Sequence, residues 1–180
     1  MAQSATVYNL SIELANVDQN IYETFDLRIA RQPSESAAYM FMRIIAYGLE
    51  YAEGIELTQG VAAGSEPAIY IRDLTGDVLA WIDVGLPSAE HVHRGSKIAN
   101  RSAIYTYRDM NQFTAQLMGK KIHQAAEIPI YALHRPFVEE VAQWIDRRSK
   151  LVLSLSEGVL YISVDEKSHS ATVEKHHIED

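Results

Sequence analysis

The stretch AIYIRDLTGDVLAWIDV, residues 68–84, predicts a β-hairpin at the centre of the fold. Its two apolar runs, Ala68 to Arg72 and Val78 to Val84, have the length and the β-branched and aromatic content of strands. The segment between them contains Asp and Gly, which favour turns. Asp73 and Asp77 are therefore interpreted as turn residues rather than as ligands.

Helices and strands are predicted to alternate after this hairpin. The predicted elements are a helix from Pro87 to Asn100, a strand from Ala103 to Tyr107, a helix capped by Asp109 and ended by Gly119, a strand from Ile128 to Leu133, and a helix that starts near Pro136. Such alternation is typical of an α/β fold in which helices flank a mixed β-sheet with right-handed crossovers.

The rest of the chain completes a single domain over residues 1–180. Pro33-Ser34-Glu35 opens a helix that Gly54 closes, and a short strand is expected around Glu56 to Gly60. β-Hairpins are predicted to extend the sheet at both ends. We expect an N-terminal hairpin over 5–31, a core over about 34–133, a C-terminal helix and hairpin over 134–175, and a loose tail from Glu174.

The absence of cysteine and the net charge of −8 limit the classes of function. Without cysteine the chain cannot form a disulfide framework or a zinc site built on thiolates, and a cytoplasmic location is expected. The N-terminal residues do not resemble a signal peptide, and no window approaches the ~20 apolar residues of a membrane span. A negative net charge disfavours a general nucleic-acid coat protein, although a bound metal ion can supply positive charge in an acidic nuclease.

Two carboxylates are predicted to meet across the central hairpin. Antiparallel pairing about the Asp73–Asp77 turn places Asp83 opposite Pro67 and beside Glu66. Neighbouring carboxylates repel unless a cation, a proton or solvent lies between them. Oxygen ligands of this kind suit Mg²⁺ or Mn²⁺, and such a metal suits phosphodiester hydrolysis. The alternative is that both acids lie on solvated strand ends.

Further charged candidates lie on the two predicted helices that flank this hairpin. Glu35, in the first turn of the first helix, either complements the helix dipole or faces a metal. On the second helix, a charged stripe is formed by Glu90, Arg94, Lys97 and Arg101. This stripe is interpreted either as a salt-bridged solvent face or as the source of a cation, Arg94 or Lys97, that contacts a phosphate.

Histidine and tryptophan give no separate site. His91 and His93 lie two residues apart on a predicted helix, so they cannot chelate one metal as an i, i+4 pair would. Trp81 and Trp144 lie within apolar runs and are interpreted as core or rim aromatics. The common phosphate-binding, nucleophile-elbow and zinc-protease motifs are absent from the sequence.

Four short segments recur in a characteristic order and spacing: RQPSE at 31–35, EP at 66–67, WIDVGLP at 81–87 and YTY at 105–107. Together they resemble the bacterial YaeQ family, and the similarity runs through nearly the whole chain. The resemblance implies a variation of the PD-(D/E)XK restriction-endonuclease-like core, which runs helix, three-stranded meander, helix, strand. The order predicted here for residues 34–107 is the same.

The resemblance also implies roles for the acids. Glu66 matches the acid that begins the second meander strand, Asp83 the acid of the third strand, and Glu35 the acid of the first helix. The pattern expects a lysine two residues after Asp83, but Gly85 stands there. The resemblance therefore moves the cation to the following helix, as Arg94 or Lys97, with Arg94 nearer to the strand.

These residues lead to two main expectations. The first is a metal-dependent phosphodiesterase or nuclease that acts on DNA or RNA, with Mg²⁺ or Mn²⁺ held by Glu66 and Asp83. The second is a catalytically inactive module on the same scaffold that binds nucleic acid or a protein partner and is linked to transcription or DNA metabolism. Hydrolysis of a small phosphate ester is a third hypothesis.

Overall fold

The computed structural model describes residues 3–60 and 64–178. The strands within these ranges are β1 (Thr6–Asn16), β2 (Ile21–Arg31), β3 (Ile55–Leu57), β4 (Ile69–Arg72), β5 (Val78–Val84), β6 (Arg101–Thr106), β7 (Pro129–Ala132), β8 (Arg148–Ser156), β9 (Val159–Val164), β10 (Lys167–Thr172) and β11 (Glu174–His177). The α-helices are α1 (Ala37–Leu49), α2 (Ala89–Ile98), α3 (Met110–Leu117) and α4 (Arg135–Ala142). None of these helices is long and apolar enough to cross a membrane.

The strands form two mixed sheets within one α/β domain. The central sheet has the order β11-β7-β6-β5-β4-β3, and β5, β6 and β7 are parallel. The outer sheet has the order β10-β9-β8-β1-β2, and β1 pairs with β8 in parallel. The predicted α/β class and mixed sheet are confirmed. The terminal hairpins do not extend the central sheet but pair with each other in the outer sheet.

Helix α1 explains why a second sheet is needed. Every residue from Met40 to Ala46 is buried, and a helix that is buried all round must be covered on every side. The central sheet and α4 cover part of α1. The outer sheet covers another side, where Gly48 lies against Leu153 and Leu14. Residues of α1, α4 and both sheets form one apolar core.

The predicted helix starts are largely confirmed because local hydrogen bonds determine them. Ser88 caps α2, where its Oγ accepts from the His91 N–H at 3.2 Å. Asp109 caps α3 as predicted. Helix α1, however, begins after Ser36, which caps it, so it starts later than Pro33-Ser34-Glu35 suggested. The order α1, β3, β4, β5, α2, β6 is the predicted one.

A β-bulge changes the predicted pairing of the central hairpin. Arg72 pairs with Val78, but Ile71 pairs with Ala80, which leaves one extra residue in β5. Beyond the bulge the register continues as Ile69 opposite Ile82, so the next pair places Asp83 opposite position 68 rather than Pro67. The predicted partner of Asp83 was therefore wrong by one residue.

The predicted loose tail was also wrong over most of its length. Residues Glu174–His177 form β11, which pairs with the edge strand β7, and β10 pairs with β9. These strands contain few apolar residues, so no alternation marks them in the sequence, and main-chain hydrogen bonds to the neighbouring strands define them. Glu179 and Asp180 lie outside the described residues.

The close contact of α2 with β5 generates a prediction. A Cβ on Gly95 would lie 2.5 Å from ring atoms of Trp81, so the helix can approach the indole only without a side chain there. Gly→Ala in a helix normally stabilises by up to ~1 kcal/mol. We expect Gly95→Ala to destabilise instead, by about 1–3 kcal/mol, because of overpacking. Urea unfolding with exposed Lys97→Ala as control checks this, and a stabilised Gly95→Ala would contradict it.

Candidate functional site

A pocket of about 430 Å³ opens at the carboxyl ends of β5 and β6. Ligands of α/β proteins commonly bind at the carboxyl ends of parallel strands, because loops diverge there. Its polar side chains come from α1, from the segment before β4, from the end of β5, from the start of α2 and from the segment after β6. They are Tyr39, Glu66, Asp83, His91 and Arg108, together with Ser88.

Asp83 is a buried carboxylate whose two oxygens both have protein partners. Oδ2 accepts from Trp81 Nε1 at 3.0 Å, and Oδ1 lies 2.7 Å from His91 Nε2. Burial raises the pKa of Asp83, while the hydrogen bonds from His91 and Trp81 oppose that rise. Trp81 is a core residue, as predicted, and its N–H also orients the carboxylate.

His91 is the functional candidate that the sequence did not identify. The hydrogen bond that His91 donates to Asp83 raises the pKa of His91 most, and the negative charge of Asp83 raises it further, while partial burial and the charge of Arg94 lower it. Its side chain is 19% exposed and lines the pocket. The sequence did contain a signal for this pair. Asp83 lies at the end of a strand, and His91 follows in the first turn of the next helix.

Glu66 and Asp83 share the pocket, as predicted, but they do not form a preformed metal cage. Glu66 is exposed, whereas Asp83 is buried. Over residues 3–60 and 64–178, no group of three His, Asp or Glu residues is arranged to hold a metal ion. Mg²⁺ needs only one or two carboxylates when waters and substrate oxygens complete its shell. Glu66 and Asp83 fit an open site of that kind, and they do not form a closed metal cage.

Glu35 does not lie where the sequence placed it. It precedes the cap of α1, and no acid lies in the first turn. Its Oε1 accepts from Arg43 Nη1 at 2.9 Å, and its Oε2 accepts from the Gln32 N–H at 3.1 Å. Both side chains of the Glu35–Arg43 pair are essentially inaccessible to water. The first-turn placement was wrong, because Ser36 rather than Glu35 immediately precedes the helix, and Oε1 of Glu35 forms a buried ion pair with Arg43.

The cation that lines the pocket is not one of the two predicted cations. Arg94 and Lys97 are exposed on α2, and neither is among the described residues that line the pocket. Arg101, the last residue of the predicted stripe, lies in β6 and pairs with Glu50 at 2.6 Å. Arg108, which follows β6, lines the pocket. The segment after β6, rather than α2, therefore places a cation in the pocket with the two acids.

Gly85 could not carry the expected lysine without strain. Its φ is +91°, a region that L side chains rarely adopt, and a Cβ there would lie 3.1 Å from Tyr39 Cε2. Burial raises the pKa of Tyr39 to about 12, so this phenol stays protonated beside Asp83 at neutral pH. The backbone conformation at Gly85 therefore disfavours the lysine that the nuclease pattern expects at this position.

Comparison with known proteins identifies the family. A family model described as YaeQ protein matches residues 1–173. The chain belongs to the YaeQ family. It is 29% identical over 170 residues to the uncharacterised protein YaeQ of Escherichia coli, covering 93% of each chain. It is 27% identical over 165 residues to the uncharacterised YaeQ of Salmonella typhi, covering 91% of each.

Crystal structures of YaeQ proteins have the same fold. The chain superposes on YaeQ from Pseudomonas syringae with a TM-score of 0.86 at 27% identity, covering 97% of both chains. For YaeQ from Xanthomonas axonopodis pv. citri the TM-score is 0.87 at 22% identity, covering 96% of this chain and 98% of the other. The predicted family and fold class are confirmed. The relationship to PD-(D/E)XK nucleases stays a prediction.

The Asp83–His91 contact predicts the titration of the imidazole. We expect the pKa of His91 to lie above its usual 6.5 in the wild type. In Asp83→Asn it should fall, because the negative charge is lost while burial and Arg94 still disfavour the imidazolium. Histidine NMR titration checks this, with Asp77→Asn in the exposed turn as control. An unchanged His91 pKa in Asp83→Asn would contradict the pairing.

The Glu35–Arg43 contact predicts a large effect on stability. Glu35→Ala leaves the buried Arg43 charge unpaired and should cost about 3–5 kcal/mol of unfolding free energy. Glu56→Ala is the matched control, because the Glu56–Arg72 pair is exposed and should cost less than ~1 kcal/mol. Urea unfolding measures both. Equal, small effects would show that Glu35 is not structural and would return it to the predicted metal-facing role.

Proposed function

We propose that the pocket hydrolyses phosphodiester bonds of nucleic acid with a divalent metal. The observation that carries this proposal is the meeting of Glu66, Asp83 and Arg108 in one pocket at the carboxyl ends of β5 and β6. Glu66 and Asp83 would hold Mg²⁺ or Mn²⁺, which activates water and offsets charge on phosphorus when bound. Nucleic acid supplies the phosphate oxygens that an incomplete protein shell requires.

The chain's own residues would orient the reaction. Trp81 and His91 fix the direction of the Asp83 carboxylate through their N–H groups. Arg108 replaces Arg94 and Lys97 in the proposal as the cation that binds the phosphate, because Arg108 lines the pocket and a guanidinium can donate two parallel hydrogen bonds to phosphate oxygens. Glu35 is omitted from the metal site, because it is not among the described residues that line the pocket and its carboxylate forms a buried ion pair with Arg43.

A second candidate function is binding without turnover. It is favoured by the positive φ at Gly85, which disfavours the lysine of the nuclease pattern, and by the ion pair that neutralises Glu35. Such a module would bind nucleic acid or a protein on the same scaffold, without requiring Asp83 or a metal, and would act in transcription or DNA metabolism. A cytoplasmic location is part of both proposals.

Metal titration and cleavage assays test the first proposal. We expect wild type to bind Mg²⁺ or Mn²⁺ by calorimetry and to cleave labelled DNA or RNA. Glu66→Gln should weaken both without loss of stability, because Glu66 is exposed. Arg108→Gln should lower cleavage by about 100-fold, as loss of one transition-state contact does, and change metal binding little. Glu90→Gln, an exposed acid that is not among the described pocket residues, is the control.

The outcomes separate the two functions. Metal binding that is unchanged in both Glu66→Gln and Asp83→Asn contradicts the metal site. Oligonucleotide binding that persists in EDTA and in Asp83→Asn, with no cleavage by wild type under either metal, favours the binding module. Asp83→Asn is preferred to alanine, because asparagine keeps the volume and one acceptor for Trp81.

A further inference from the structure

One face of the outer sheet is not covered by helices. Strand β1 alternates strictly, with Leu10, Ile12 and Leu14 buried against the core and Asn9 and Ser11 exposed on the opposite side. The pairings of β1 with β2 and β8 continue without register shifts, so one pleat extends across all three strands. The exposed side of these strands is here called the outer face. It consists of Asn9, Ser11, Glu13 and Ala15 of β1 and of the residues on neighbouring strands that are in register with them.

One row of the outer face contains two exposed tyrosines. Tyr22 on β2 pairs with Ala15, Ala15 pairs with Ser154 on β8, and Ser154 pairs with Tyr161 on β9. Tyr22 is 58% exposed and Tyr161 is 50% exposed. The tyrosines lie three strand spacings apart, about 14 Å, with only small side chains between them. Tyrosine is enriched at binding interfaces, because its ring is apolar and its hydroxyl can hydrogen-bond.

A second row on the same face carries free cations. Arg28 pairs with Asn9, and Asn9 pairs with Arg148, so two guanidiniums flank an amide. Lys150 lies two residues further along β8, on the same face. Within the described residues, none of these three cationic groups forms an ion pair or a side-chain hydrogen bond. They line a shallow groove of about 550 Å³ with Asn9.

Two acids keep the net charge of this face low. Asp26 shares a row with Ser11 and Lys150, and Glu13 lies in the next row. Neither is paired with the free cations in the part of the chain that the structure describes. Charge alone therefore gives little affinity for a duplex, whose binding depends on many phosphate contacts. Exposed bases of a single strand can gain affinity from the tyrosine rings.

Strand β10 lies between the outer face and the larger groove next to the pocket. Tyr161 lines a groove on the outer face with Ser170, its partner in the pairing of β9 with β10. His169 pairs instead with the buried Ile162, and its ring contacts Phe137 on the opposite side of the strand. Binding at the outer face is therefore argued and tested apart from the pocket.

We propose that the outer face binds single-stranded nucleic acid, with bases stacked on Tyr22 and Tyr161 and phosphates held by Arg28, Arg148 and Lys150. Stacking supplies the affinity, and the cations orient the backbone. Asn9 and the serines of the face add hydrogen bonds without sequence preference. Binding at the outer face is independent of turnover.

The test is fluorescence anisotropy with a labelled fifteen-nucleotide single strand, in EDTA and at low salt. Tyr22→Ala with Tyr161→Ala should weaken binding by about tenfold or more, as loss of base stacking does. The two Tyr→Phe changes should retain it, because phenylalanine preserves the ring. Arg28→Gln with Arg148→Gln should reduce the slope of log K against log salt by about 1.4, or 0.7 for each phosphate contact. Lys120→Gln with Lys121→Gln is the matched cation control.

Several outcomes would overturn the inference. They are no binding by wild type, unchanged affinity in the double tyrosine-to-alanine variant, or equal affinity for a duplex of the same length. Competition by polyglutamate as effective as that by the oligonucleotide would show a simple charge effect and would also overturn it. Asp83→Asn and Glu66→Gln should bind like wild type. Loss of cleavage in these two variants with binding retained supports both proposals, whereas binding by wild type without cleavage refutes only the hydrolysis.

Discussion

The buried guanidinium of Arg43 joins the parts of the fold that enclose α1. It donates to the Ala30 carbonyl of β2 at 3.0 Å, to Glu35 at 2.9 Å, and to the Thr58 carbonyl beside the central sheet at 3.1 Å. A buried charge must be matched, so the two sheets cannot separate without leaving these groups unpaired. Gly60 lies over the pair, where a Cβ would come within 2.9 Å of Arg43. One ion pair thus fixes the position of α1 between the sheets.

This position of α1 determines what the pocket can contain. Tyr39 lies one turn before Arg43 on the same helix, and its ring faces Gly85 at the end of β5. The backbone at Gly85 turns with positive φ and donates its N–H to the Tyr105 carbonyl at 2.9 Å. A long cationic side chain has no room at that point. Any cation must enter the pocket from another strand end, and Arg108 occupies such a place.

The sequence predicted features that depend on local chemistry. The caps at Ser88 and Asp109 and the central hairpin were predictable because the groups that stabilise them lie within a few residues. The bulge in β5, the polar strand β11 and the place of Arg108 depend on partners distant in the chain. Glu35 was misplaced because its partner, Arg43, is a charge within a run of buried apolar residues, and helical periodicity alone gives no reason to bury it.

The negative charge of the chain limits how it can hold an anionic polymer. Glu66 and Asp83 repel phosphate until a cation is present, so the pocket alone is a poor binding surface for nucleic acid. Aromatic stacking requires no positive charge, and a protein of net charge −8 can use it where a basic surface is unavailable. In the two proposals, the tyrosine row would bind the polymer and the acidic pocket would hold the metal. Affinity would come from a flat, nearly neutral face, and charge would be concentrated only where a phosphate is to react.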